Sequence, residues 1–126
     1  MRELTALVAD DSEPTRVLIR ATLRHLGCQV VKEVGIGSHV MEAIAGCDVD
    51  IIFLDINMPG ASGLEVLGQI VAEKKHDYVV IISGDDTLEN EEAARIAGAK
   101  HFMGKPFAID KVKQIVDKYR DSLKAK

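Results

Sequence analysis

Apolar runs of strand length alternate along this chain with stretches in which apolar residues recur every three or four positions. The runs predict strands near residues 4–9, 28–34, 50–54, 78–82 and 101–103. The stretches between them predict helices near 13–26, 38–46, 63–75, 86–97 and 107–122, which makes five successive β-α units. Helix punctuation supports the division. Ser12 can cap the first helix with Pro14 in its opening turn, and the pairs Ser62 with Glu65 and Asp86 with Glu89 have capping-box spacing. Gly27, Gly46 and Gly98 follow the first, second and fourth helices, where a left-handed residue often closes a helix, and Lys74 and Lys75 place positive charge at the end of the third. The runs 51–54 and 78–82 do not alternate polar with apolar, so they belong in the interior of a parallel sheet covered on both faces. The second run carries Gln29, Lys32 and Glu33, as an edge strand would. In the last helix Ile109, Val112, Val116 and Tyr119 predict one core-facing stripe.

The pattern implies a doubly wound α/β fold with a five-stranded parallel sheet, and 126 residues at 47% hydrophobic suit one domain over 1–126. No apolar stretch approaches the ~20 residues that cross a bilayer, and no signal-like segment precedes the first run, so a soluble cytoplasmic protein without membrane contact is expected. Cys28 and Cys47 lack paired spacing and read as packed, reduced thiols. Charge changes the picture more than composition does. Residues 1–99 hold 8 basic and 17 acidic side chains, whereas residues 100–126 hold 8 basic and 3 acidic. The final segment, with Lys111, Lys113, Lys118, Arg120, Lys124 and Lys126, reads as the solvated face of a basic helix. The acidic body argues against direct nucleic-acid binding, because phosphates reward a basic footprint.

The chemistry sits where buried strands end. Asp10 and Asp11 follow the first run, Asp55 the third, Ser83, Gly84 and Asp85 the fourth, and Lys105 and Pro106 the fifth. In an open parallel sheet the carboxyl ends of the strands line one crevice, so these side chains can meet despite their separation in sequence. Two carboxylates ~5 Å apart repel by roughly 3 kcal/mol at an effective dielectric of ~20, so three of them call for a cation, a shared proton or distance. A carboxylate nucleophile, neighbouring acids and a lysine describe a phosphoryl-transfer site. Asp55 is placed to form an acyl phosphate by in-line attack. Mg2+ (or Mn2+) suits one or two carboxylates from Asp10, Asp11 and Asp55 together with a backbone carbonyl. Lys105 and the Ser83 hydroxyl would take the remaining phosphoryl oxygens, with Gly84 leaving space for the group.

These residues, in this order and spacing, resemble the receiver domain of two-component response regulators, the CheY-like family, over essentially the whole chain. The match rests on Asp10 and Asp11, on Asp55, Ile56, Asn57, Met58, Pro59 and Gly60 with Gly63 after them, on Ser83 and Gly84, and on Lys105, Pro106 and Phe107. The resemblance implies strand order 2-1-3-4-5. It further implies Asp55 as phosphoacceptor, Asp11 as direct metal ligand, Asp10 acting largely through water and the Asn57 carbonyl as a further ligand. Ser83 matches the hydroxyl that moves toward the phosphoryl group, Lys105 the lysine that pairs with acids and phosphate, and the peptide between Lys105 and Pro106 would be cis. Phe102 matches an aromatic that swings inward on activation, with a plain core side chain as the alternative. Asn57 and Asp85 match positions that tune the lifetime of the acyl phosphate.

As a member of that family the chain would be a signalling receiver that catalyses only its own phosphorylation and dephosphorylation. Its donor would be a histidine kinase or phosphotransfer protein, and its reader a downstream protein or a fused output domain. The responsive surface would be the fourth helix, fifth strand and fifth helix, roughly 86–122, which also admits a homodimer. The small apolar residues Ala93, Ala94 and Ala97 beside Ile96 suggest a fourth helix that is shallowly packed and easy to shift. His25, His39, His76 and His101 lack metal-ligand spacing and read as incidental. A haloacid-dehalogenase phosphatase shares the aspartyl phosphate but usually carries a second aspartate where Asn57 stands. A flavodoxin-like flavin carrier would need a phosphate-cradling loop where Asp10, Asp11 and Glu13 would repel phosphate. A receiver kept only for docking is disfavoured because every expected site residue is present.

Overall fold

A computed structural model of the chain describes residues 3–124; Lys126, named above in the basic final segment, lies outside the described residues. Five strands, β1 (Leu4–Ala9), β2 (Cys28–Val34), β3 (Ile51–Asp55), β4 (Val79–Ser83) and β5 (His101–Gly104), alternate with α1 (Glu13–His25), α2 (Val40–Gly46), α3 (Gly63–Ala72), α4 (Leu88–Ala97) and α5 (Ile109–Lys124). A 3-10 turn, Gly37–His39, leads into α2. All strand pairs are parallel and the sheet order is β2-β1-β3-β4-β5. The edge position of β2 and the interior positions of β3 and β4 follow the polarity of their sequences, and every residue of β3 and β4 is buried.

Alternation along the strands divides the core into two. Leu7, Ile52, Leu54 and Ile81 face α2, α3 and α4 through Val40, Ile44, Leu67, Ile70 and Ala94. Leu4, Val8, Ile51, Phe53 and Ile82 face α1 and α5 through Ile19, Leu23, Val112, Ile115 and Val116. Each face thus needs its own helices, which is why strands of this kind read as continuous apolar runs. Phe53 is fully buried, and cutting it to alanine would cost about 3–5 kcal/mol.

Several local expectations shift. Helix α4 begins at Leu88 because Thr87, in an extended conformation, accepts the Asn90 N–H on its hydroxyl at 3.1 Å, so the cap is Thr87 and not the pair Asp86 and Glu89. The Ser12 and Ser62 caps form, accepting from Thr15 N and Glu65 N. Gly27 and Gly98 adopt φ of +79° and +113°, but Gly46 is the last residue of α2 and the chain leaves it through an extended Cys47, with no left-handed step. At the end of α3 the left-handed residue is Lys74, at φ +54°, so Lys74 and Lys75 lie beyond the helix and not in its last turn. The stripe of α5 is Val112, Ile115, Val116 and Tyr119; Ile109, in its first turn, is 59% exposed. Cys28 is buried and Cys47 half-buried, both as free thiols. Burial, and then Asp50, pushes the Cys28 thiol up to about 12, which makes it unreactive. No helix among the described residues is long and apolar enough to cross a membrane.

Candidate functional site

The carboxyl edge of the sheet collects the predicted chemistry. Asp10 leaves β1 with its N–H donated to Val34 O at 2.9 Å, which holds it between β1 and the end of β2. Its side chain is fully buried; Oδ1 accepts the Ser12 N–H at 2.9 Å and Oδ2 faces Lys105 Nζ at 2.8 Å. Asp55 is the last residue of β3 and lies opposite Ile82 of β4. Its Oδ1 accepts the Asn57 N–H at 3.2 Å and its Oδ2 accepts from Lys105 Nζ at 3.1 Å. One ammonium therefore bridges two buried carboxylates. Lys105 is aimed there by its backbone, whose N–H donates to Ser83 O at 2.8 Å and whose peptide bond to Pro106 is cis.

Asp11 is exposed and completes an acidic group: one carboxylate oxygen each from Asp10, Asp11 and Asp55 lie within 4.8 Å of one another. Two unit charges at that separation repel by about 3.5 kcal/mol at an effective dielectric of ~20. Burial first, and then the Asp10 charge, push the Asp55 carboxyl above its ordinary value, against the pull of Lys105 and the Asn57 N–H. Burial works to lower Lys105, but Asp10 and then Asp55 outweigh it and hold the ammonium above its ordinary value. Asp10 Oδ2 is buried and, beyond the Lys105 ammonium at 2.8 Å, has no well-directed hydrogen bond. A set of three carboxylates with one such oxygen fits a hard divalent cation, which takes oxygen ligands.

The other predicted residues surround this group. Ser83 ends β4 fully buried, and its hydroxyl donates to Asp85 O at 2.9 Å while accepting the Asp85 N–H at 3.0 Å. Its single proton is therefore committed to the loop. Asp85 and Asn57 are exposed beside the crevice. Phe102 is half-buried, on the side of the sheet that packs against α2, α3 and α4. A Cβ on Gly84 would meet nothing within 4 Å, so in this conformation space alone does not require glycine there. Gly63 is different. A Cβ there would stand 2.1 Å from Asp55 O, so only glycine lets α3 start against the end of β3.

Three neighbouring side chains hold the loops around the site through contacts that the sequence does not signal. Arg16 Nη1 donates to Asp10 O at 2.5 Å and its Nε pairs with Glu33 at 3.3 Å, tying α1 and β2 to the acidic turn. Asn90 Nδ2 donates to Asp85 O at 2.8 Å. The Asp86 carboxylate lies over Gly104, where a Cβ would come within 2.4 Å of Oδ2. No local pattern marks these contacts, since each depends on the tertiary course of a loop.

The amino edge of the sheet holds a second polar group. Asp50 Oδ2 accepts Thr5 N at 2.8 Å and Thr5 Oγ1 at 3.2 Å, and Oδ1 accepts the Tyr119 hydroxyl at 3.0 Å. Tyr119 meets Tyr78 edge-on, with ring centroids 4.9 Å apart, and the Tyr78 hydroxyl lies 2.9 Å from His101 Nε2. His76 Nδ1 accepts the Tyr78 N–H at 3.0 Å, which leaves Nε2 to donate to Val49 O at 2.8 Å.

A family model described as "Response regulator receiver domain" matches residues 6–117. Over 116 residues the chain is 34% identical to the sensory/regulatory protein RpfC of Xanthomonas campestris, covering 89% of this chain but only 16% of that protein. It is 32% identical over 115 residues to the chemotaxis protein CheY of Listeria monocytogenes, covering 91% of this chain and 97% of that one. In three dimensions it is similar to the CheX-CheY-BeF3-Mg+2 complex from Borrelia burgdorferi, at a TM-score of 0.86 and 27% identity over 91% of this chain and 87% of that one.

Proposed function

This chain belongs to the response regulator receiver domain family of two-component signalling, and from that premise we propose that it is a phosphorylation switch whose acceptor is Asp55. The observation that carries the reading is the Lys105 ammonium lodged between the Asp10 and Asp55 carboxylates, at 2.8 and 3.1 Å. Receiver domains are signalling modules rather than turnover enzymes, and the one reaction asked of this site is transfer to itself. A carboxylate oxygen of Asp55 attacks the phosphorus of a phosphohistidine on a kinase or phosphotransfer protein. The new P–O bond forms as the P–N bond breaks, and the imidazole leaves with its electron pair and takes a proton from solvent. Hydrolysis by water returns the Asp55 carboxylate and inorganic phosphate.

Asp10, Asp11 and Asp55, with the Asn57 carbonyl, would hold Mg2+ or Mn2+, which when bound supplies the positive charge that offsets three acids and an incoming phosphoryl group. Lys105 releases part of its grip on Asp55 and donates to a phosphoryl oxygen, while Ser83 turns its proton from Asp85 O to another. Asn57 and Asp85, exposed at the mouth, set how readily water reaches the acyl phosphate. Phe102 turns inward as Ser83 moves, and the changed surface of α4, β5 and α5 is read by a downstream protein, an output domain fused to 1–126 or a second copy of the chain. Support for a separate reader comes from the relatives, since the match occupies only part of RpfC but nearly all of CheY. The test is intact mass after incubation with magnesium and acetyl phosphate. The wild-type chain gains one phosphoryl group and Asp55→Asn gains none; an unmodified wild type, or an adduct that persists in Asp55→Asn, overturns the assignment.

A further inference from the structure

Resting on that reading, we propose that Asn90 is a positioning residue that couples the Ser83 hydroxyl to α4. Ser83 Oγ, the Asp85 carbonyl and Asn90 Nδ2 form one hydrogen-bonded chain, with links of 2.9 and 2.8 Å, that runs from the phosphoryl site to the first turn of α4. A serine hydroxyl has a single proton. When Ser83 donates it to a phosphoryl oxygen, it must leave Asp85 O, and that carbonyl is then held by Asn90. The grip on the loop passes from the end of β4 to the helix.

The surroundings give this link its weight. Gly84 touches nothing that a Cβ would reach, and Asp85, Asp86, Thr87 and Leu88 are exposed, so the loop has few other holds. The contact of Asp86 with Gly104 is one, and it joins the loop to β5 and not to α4. Helix α4 itself is lightly seated: Ala94 is its only fully buried residue, while Leu88 and Ile96 are 84% and 73% exposed. The Asn90 backbone is fixed by the Thr87 cap, which leaves its side chain as the part of the first turn that faces the loop carbonyl. Without that donor, a turn of Ser83 ends at Asp85, whose exposed carbonyl can take water instead.

The experiment compares the wild-type chain with Asn90→Leu and Asn90→Asp, both close in shape to asparagine and both unable to donate, and with Asn90→Gln, which keeps a donor. Excess acetyl phosphate with magnesium transfers its phosphoryl group to an Asp55 oxygen, acetate leaving. Intact mass reads the adduct, and backbone amide shifts over Leu88–Ala97 read the helix. Asn90→Leu and Asn90→Asp are expected to reach an adduct level within about twofold of wild type while the shift changes in α4 fall at least threefold, and Asn90→Gln is expected to recover at least half of them. A purely structural role would instead alter the α4 shifts before phosphorylation and leave their response intact. Unchanged α4 responses in both donor-less variants overturn the coupling, as does a loss of adduct in proportion to the loss of response. Absence of an adduct in the wild type overturns the function on which the proposal rests, and is thereby distinct.

Discussion

The two edges of the sheet carry polar groups of similar size and opposite character. At the amino edge, Asp50 accepts from Thr5 and Tyr119, and each ring nitrogen of His76 has a backbone partner. At the carboxyl edge, three acids crowd within 4.8 Å, one ammonium serves two of them, and a buried carboxylate oxygen has no well-directed hydrogen bond. The first arrangement joins β1, β3 and α5 and stabilises them. The second stores repulsion that a ligand can relieve. A fold can hold such a site while the Asp50 and His76 groups at its other edge are satisfied.

The largest expected break is chemical. Asp55→Asn abolishes the phosphoryl adduct altogether, yet in the presence of chelator it raises the thermal midpoint, because burial and Asp10 make the Asp55 charge unfavourable in the folded chain. A lower midpoint would place Asp55 with the stabilising groups. Asp50→Ala should do the opposite, costing about 3 kcal/mol in denaturant titration through the loss of charge-assisted hydrogen bonds, with the adduct yield unchanged. Tyr119→Phe removes one of those donors and should cost about 1 kcal/mol.

The edges also respond to pH with opposite sign. Burial, then Lys111, Lys118 and Lys100, lower His101 below its ordinary value. The stability tied to neutral His101 is therefore fully present above about pH 6.5 and is lost as pH falls from there toward the folded value. Asp55, raised in the fold, gains a proton sooner than in the unfolded chain, so its contribution improves as pH falls through the raised value. Denaturation midpoints between pH 5 and 7.5 should fall less steeply in His101→Gln than in wild type; parallel curves would remove His101 from the comparison. The smallest effect belongs to Gly84→Ala, within about 0.5 kcal/mol, because its Cβ enters open space.

Much of this contrast is legible in the sequence, for physical reasons that vary by residue. Strand-end acids stand out because a charge directly after a run such as Ile51, Ile52, Phe53 and Leu54 sits at the mouth of a buried strand, where it must find a partner or a ligand; Lys105 stands out by its place after β5. The amino-edge group is hidden, since Asp50, Tyr78 and Tyr119 look like ordinary strand-entry and helix residues until the fold joins them. The capping pattern misleads at α4 because Asp86 and Thr87 are both good caps, and the contact of Asp86 with Gly104 leaves the role to Thr87. The exposed Ile109 shows a similar limit: three-residue spacing marks a face, but the first turn of α5 begins before that face reaches the sheet.

The glycine at the start of α3 gives the site a mechanical direction. With its Cα pressed against the Asp55 carbonyl, neither β3 nor α3 has slack to recoil when a bulky anion arrives, whereas the loop beyond Ser83 has open space around Gly84. One wall is stiff and the other compliant, so a phosphoryl group placed on Asp55 would displace the loop toward α4 whichever donor delivered it.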